Sequence, residues 1–346
     1  MADMADSDSA EGSCSKVDPY GFERPDDFDY KSYEEFLASY LSVLARRKSR
    51  WTEYLDGKSS LNRSNTLKRF CRKGVPSDQR ASIWMAVSGA EERQAQQPGL
   101  FRKLLSEPHD PQLVEVINTD LDRTFPDNIY FQNIPSDPNA LRPPLFRVLV
   151  AVGHKNTRIG YCQGLNFITG LLLLIVKEEE QVFWLMDTLL NNIIPDYYTK
   201  DMFGIKVDQL VLGELVRMKD PEIHSFLEKH GAAWSLISTK WFICLFADVM
   251  PVETVLRIWD SLFYEGNKIL FRVSVTLIKR NRAKILACKN FPEIMKLFKD
   301  ITSNDPVVIN CHDFMTSIFK EPGSFPRAMI EKLRKQCAAK VREEGF

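Results

Sequence analysis

Phe271-Arg272-Val273-Ser274-Val275-Thr276-Leu277 decides whether this chain is all-helical or mixed. Apolar and polar residues alternate strictly there, and a period of two is what a half-buried strand requires. Its surroundings read differently. Apolar residues recur at helical spacing on both sides and predict helices over 252–263 and 291–301. Taken alone, the stretch favours a strand; its helical surroundings argue against one, and periodicity leaves the two readings open.

Outward from this point the chain predicts one helix after another. Ser32-Tyr33-Glu34-Glu35 has the form of a capping box opening a helix that runs through Leu55 and stops at Gly57. A shorter helix is predicted over 65–73, and its basic end, Lys68, Arg69, Arg72 and Lys73, faces either water or an acidic partner. Ser77 can cap the next helix, which turns Ile83, Trp84 and Val87 inward. Arg80 lies one turn before Trp84, where its stem can pack on the indole or its head can pair with a buried carboxylate. Further helices are predicted over 113–122, 144–154, 165–176, 180–190, 207–218, 222–230, 238–248, 311–319 and 326–342. No internal repeat at a solenoid period is evident.

Composition narrows the function classes. With 346 residues and 44% hydrophobic content, the chain can bury a large core. Its 46 basic and 46 acidic side chains cancel, so no overall field favours nucleic acid or an anionic membrane. A partner is then recognised by a local patch. None of the seven cysteines forms a C-x-x-C pair, and the first sixteen residues are acidic and Ser-rich, so the expectation is a reduced, cytoplasmic protein without a secretory signal. Residues 1–17 read as a disordered acidic tail. The most apolar run, 165–176, is twelve residues long and contains Asn166, Thr169 and Gly170. Crossing a bilayer takes roughly 20 residues, so a buried core helix is expected and transmembrane insertion is not.

Two short segments carry candidate chemistry. Arg123 closes the run Val116-Ile117-Asn118-Thr119-Asp120-Leu121-Asp122-Arg123, with Asp120 three residues before it and Pro126 three after. Leu113, Val114, Val116, Ile117 and Leu121 form an apolar arc; at about 100° per residue Arg123 falls off its centre and Asp120 at its edge, placed to orient the guanidinium. The bland alternative is an arginine facing water and complementing the helix dipole. The second segment is Gly160-Tyr161-Cys162-Gln163-Gly164-Leu165-Asn166, where bracketing glycines can turn Gln163 outward or simply let it serve as a structural hydrogen-bonder.

Other suggestive patterns fail. Neighbours in Cys311-His312-Asp313 point in different directions and form no relay. His224 and His230 are six apart on different faces, H-E-x-x-H is absent, and no metal site is expected. Glu178-Glu179-Glu180 reads as a solvated helix start, and Phe183-Trp184 and Trp241-Phe242 read as core. There is no G-x-x-x-x-G-K-[ST] loop to hold a nucleotide.

The motifs occur in a recognisable order. Arg80-x-x-x-Trp84 follows Gly74-Val75-Pro76; then come Ile117-x-x-Asp120-x-x-Arg123, Tyr161-Cys162-Gln163-Gly164, Trp241-Phe242-Ile243-Cys244-Leu245-Phe246 and Arg257-Ile258-Trp259-Asp260-Ser261-Leu262-Phe263. This order resembles the TBC domain, a GTPase-activating module for Rab-family small GTPases. The resemblance implies an all-α fold, and with it a helix over 268–280. It implies a disordered tail at 1–17, a helical extension at 18–68, the TBC domain at 69–265 and a helical region packing on it at 266–346. By motif position Arg123 becomes an arginine finger and Gln163 a glutamine finger, both supplied in trans. Asp120, Tyr161 and Gly164 support them, while Arg80, Trp84, Trp259 and Asp260 are structural. Leu165 stands where methionine is common, a conservative departure.

The implied protein is an activator rather than an enzyme, with a role in vesicle trafficking. Its partner is a GTP-loaded Rab that holds GTP and magnesium itself, so the chain needs no cofactor or metal of its own. The partner also brings it to membranes. The alternative is a catalytically silent Rab-binding scaffold of the same fold.

Overall fold

Residues 271–277 lie in the helix Lys268–Arg280 of the computed structural model, which describes residues 16–134, 137–303 and 305–343. Every residue from Ile269 to Ile278 is buried, so the helix has no wet face on which a period of 3.6 could be written. Two of its polar side chains, Arg272 and Ser274, bond to backbone carbonyls, while Thr276 Oγ1 is buried without a partner. Arg272 Nη1 donates to the Ile318 carbonyl at 3.0 Å and Ser274 Oγ to the Leu270 carbonyl at 2.9 Å. Among the described residues there are α-helices throughout and no strand, only isolated bridges pairing Val17 with Glu23 and Phe22 with Asn128.

Several helices begin or end where local chemistry says they should. Asn65–Lys73 is capped by Ser64, whose Oγ accepts from Leu67 N, and Leu165–Val176 has the expected bounds. Three expectations are corrected. The first helix is Tyr30–Leu55, and its cap is Asp29, which accepts from Ser32 N at 3.0 Å; Ser32 therefore lies inside the first turn. Ser77 opens a 3-10 turn, Ser77–Gln79, without a side-chain cap, and the α-helix Arg80–Ser88 follows. The segment expected to be helical over 238–248 forms Trp234–Ile243, because Leu245 and Phe246 take φ of 49° and 68° and cannot continue it. Two short helices, Ala90–Gln96 and Leu100–Ser106, lie outside the predicted ranges, and neither has a side-chain cap. The expected tail lies outside the described residues except for Lys16 and Val17.

At the centre is the helix Val252–Glu265, buried continuously from Thr254 and packed against Asn65–Lys73, Arg80–Ser88, Lys268–Arg280 and Cys311–Lys320. Asp260 is wholly enclosed and accepts from Trp84 Nε1 at 2.9 Å, Val75 N at 2.9 Å and Arg80 Nε at 3.3 Å. The head of Arg80 thus takes the buried carboxylate, and a second one at Glu253, 3.3 Å away. Trp84 and Trp259 lie with ring centroids 6.1 Å apart, and Trp259 Nε1 donates to the Leu245 carbonyl at 3.0 Å.

The basic end of the 65–73 helix is not simply solvated. Arg72 donates to both oxygens of Glu265 at 2.5 and 2.8 Å, with Lys68 at 3.6 Å and Lys268 at 2.7 Å. Burial alone would push this carboxyl up, but the donors from Arg72 and Lys268 outweigh it and hold the pKa at about 2. A carboxylate depressed on folding contributes stability above its unfolded value near 4.3, and that contribution is lost as pH falls from there through about 2. The linked stability is roughly 3 kcal/mol at most. Urea unfolding of Glu265→Gln should show a deficit at pH 7 that shrinks between pH 4.5 and 2.5; a deficit independent of pH would contradict it.

Candidate functional site

Arg123 stands just past the helix Pro111–Leu121, which Asp110 caps by accepting from Gln112 N at 2.9 Å. The buried side of that helix is Ile117, Asp120 and Leu121. This corrects the expected arc twice, since Asp120 is inside rather than at the edge and Val116 is exposed. Asp120 tolerates burial because both oxygens are engaged. Its Oδ1 pairs with Arg123 Nη2, and its Oδ2 accepts from Tyr161 Oη at 2.5 Å. The Arg123 side chain stays 49% exposed, so one nitrogen is anchored while the rest of the guanidinium faces water. Burial, and then the hydrogen bond to Asp120, push the Tyr161 hydroxyl up, so it remains a donor at neutral pH.

The second loop is turned by glycines, with φ of 60° at Gly160 and 109° at Gly164. Gln163 is exposed at its tip. A Cβ on Gly164 would sit 3.0 Å from the Ile243 carbonyl, the same oxygen that accepts from Tyr198 Oη at 2.7 Å. Gly164→Ala should therefore cost at least about 1–3 kcal/mol, read as a lowered thermal midpoint. An unchanged midpoint would mean that the loop repacks freely.

A hydrogen-bonded chain joins the two loops. Gly164 N donates to Asn166 Oδ1 at 3.0 Å, Asn166 Nδ2 to Thr124 Oγ1 at 2.9 Å, and Thr124 Oγ1 to the Asp120 carbonyl at 2.6 Å. Asn166 and Thr124 are buried, and neither was singled out in the sequence. The available signal was Asn166 itself, a polar residue opening the most apolar helix of the chain. The structure thus gathers Arg123, Asp120, Tyr161, Gln163 and Gly164 into one place. Arg80, Trp84, Trp259 and Asp260 form a separate buried cluster, from which Trp259 Nε1 donates to the Leu245 carbonyl in the turn that follows Ile243.

No group of three or more metal-binding side chains gathers among the described residues, and no described helix is long and apolar enough to cross a membrane. A cleft of about 1010 Å³ is lined by residues such as Gln209, His224, Trp234 and Lys340 and includes neither Arg123 nor Gln163. Residues 77–286 match the Rab-GTPase-TBC domain.

The chain belongs to the Rab-GTPase-TBC domain family.

This TBC-domain chain is 50% identical over 333 residues to Growth hormone-regulated TBC protein 1-A of Danio rerio, covering 96% of the chain and 93% of that relative. It is 50% identical over 330 residues to Growth hormone-regulated TBC protein 1 of Homo sapiens, covering 95% and 97% respectively. Among solved structures, the Chlamydomonas flagellar RabGAP TBC domain superposes with a TM-score of 0.75 at 30% identity, covering 88% of this chain and all of that one. The Ypt/Rab-GAP domain of Gyp1p shares the fold with a TM-score of 0.69 at 18% identity, covering 81% and 98%. The all-α TBC fold expected from the motifs is the one observed. The domain is of the kind that activates Rab GTPases.

Proposed function

We propose that this chain accelerates GTP hydrolysis by a Rab partner, supplying Arg123 as an arginine finger and Gln163 as a glutamine finger in trans. The supporting observation is the linkage of two exposed side chains, one anchored on buried Asp120 and the other on Gly164, through Thr124 and Asn166. The exposure of both side chains also suits this role, since fingers must project into another protein's nucleotide site.

The chemistry matches the residue types. In the hydrolysis, water attacks the γ-phosphorus as the bond to the β–γ bridging oxygen breaks, and negative charge spreads over the phosphoryl and leaving oxygens. Arg123 is planar and permanently charged, and with one nitrogen on Asp120 it keeps N–H groups free to meet those oxygens. The Gln163 amide accepts a hydrogen bond from the attacking water while donating one to the phosphate. GTP and magnesium belong to the GTP-loaded partner, and the chain contributes no cofactor.

Single-turnover hydrolysis across a panel of GTP-loaded Rab proteins tests this. Wild type should stimulate at least one member, and Gln163→Ala should lose most of that stimulation. Complexes that depend on GTP but show no stimulated hydrolysis anywhere in the panel would replace this reading with the silent scaffold.

A further inference from the structure

The loop that leaves Arg123 is held from outside the matched domain. Phe125 takes φ of 46°, a left-handed conformation that a bulky residue keeps only when its surroundings impose it. One side of its ring meets Phe131 and Phe167 and faces the backbone of Gly170 in the Leu165–Val176 helix. Phe22 adds a T-shaped contact at 5.2 Å. Around it the backbones interlock. Glu23 N donates to the Asp127 carbonyl at 2.8 Å and Ile129 N to the Gly21 carbonyl at 2.9 Å. Asn128, wholly buried, donates from Nδ2 to the Tyr20 carbonyl at 3.0 Å and accepts from Tyr130 N on Oδ1 at 3.0 Å.

The upstream segment is itself rigidly placed. Asp18 Oδ1 accepts from Tyr20 N at 2.8 Å and Phe22 N at 2.9 Å, closing a tight turn. Gly21 has φ of 92°, and a Cβ there would lie 2.6 Å from the Tyr130 ring. Tyr20 Oη donates to Glu253 Oε2 at 2.5 Å, tying the turn to the acid that pairs with Arg80.

We infer that residues 18–23 form a brace that positions Arg123, with Phe22 and Gly21 as positioning residues. The inference rests on the finger reading above. The brace lies outside residues 77–286 and acts through Phe125–Ile129, fixing the direction in which the chain leaves Thr124 and hence where the guanidinium points. Thr124 is pinned on its other side by Asn166, so the backbone after Arg123 is held from two sides while Asp120 holds its guanidinium. A displacement of about 1 Å at a catalytic group can lower a rate on the order of a hundredfold.

The test uses the full chain and the Rab that wild type stimulates most, in single-turnover hydrolysis from low to saturating concentrations of the activator. Phe22→Ala and Gly21→Ala should each lower the saturating rate roughly ten- to a hundredfold. The half-saturating concentration should change less than threefold, because the contact surface is intact. Phe22→Leu, which keeps apolar cover over Phe125, should recover most of the rate. A merely structural role would instead lower the folded fraction and leave the rate per folded molecule at the wild-type value, and that result overturns the brace for whichever variant folds. If Arg123→Lys also keeps the wild-type rate, the finger reading falls and the brace with it. A wild-type rate in Phe22→Ala beside an inactive Arg123→Lys removes the brace alone.

Discussion

Arg123→Ala is expected to lower stimulated hydrolysis by the Rab partner about 10³- to 10⁵-fold, equivalent to roughly 4–7 kcal/mol of barrier. The size follows from where the charge acts. A guanidinium delivered to the transition state stabilises developing charge in a site from which water is excluded, where the interaction is far stronger than in bulk solvent. Arg123→Lys should recover little. An ammonium is a compact point charge without the planar fork, and it cannot hold Asp120 and reach two phosphate oxygens together. Folding should suffer much less than activity. The side chain is half exposed, so water can reach Asp120 Oδ1 once the arginine is gone, while Tyr161 still donates to Oδ2. A stability loss of about 1–3 kcal/mol is the expected ceiling. Hydrolysis and thermal unfolding measured on the same samples decide it: an Arg123→Ala chain that still stimulates hydrolysis within tenfold of wild type would remove the arginine from the mechanism.

The opposite pattern is expected at Asp260. Asp260→Ala removes the acceptor shared by Arg80 Nε, Trp84 Nε1 and Val75 N, all buried. Breaking a buried ion pair by deleting one partner costs about 3–5 kcal/mol, and each orphaned donor adds about 1–3 kcal/mol. Against a usual total of about 5–15 kcal/mol, that is enough to unfold most of the population at 37 °C. Glu253 still faces Arg80 Nη2, which keeps the loss short of a fully uncompensated charge. Asp260→Asn should fall between, because its single carboxamide oxygen can accept from Trp84 or from Val75 while the amide nitrogen faces the other donor, and the charge is lost. Urea midpoints rank the three chains, and an Asp260→Ala midpoint within about 1 kcal/mol of wild type would show that Arg80 finds another partner.

Much of this architecture was legible because its motifs pair residues across elements. Arg80 and Trp84 sit one turn apart, and both reach Asp260, so the two patches could be read as structural before their contact was known. The helix Lys268–Arg280 was not legible from its own period, since burial on every side erased the pattern and left alternation that mimics a strand. Asp120 was placed beside Arg123 but too close to the surface. Helical geometry gives its angle and says nothing of Tyr161, whose hydrogen bond from the other loop is what makes burial possible. Thr124 and Asn166 were missed because their partners lie about forty residues apart and neither carries a charge that would mark it. Helix ends at Ser77 and Ile243 depended on backbone turns that residue type alone did not signal.

The contact between Gly21 and Tyr130 bears on how portable this domain is. A fragment cut at residue 77 keeps both fingers and the whole Asp260 cluster except Val75, yet it bares the carboxamide of Asn128 and one face of Phe125. Grafting the domain onto another polypeptide therefore transplants more than the matched residues. The donor's upstream turn has to travel with it, joined by a linker long enough to carry the helix Tyr30–Leu55 between them.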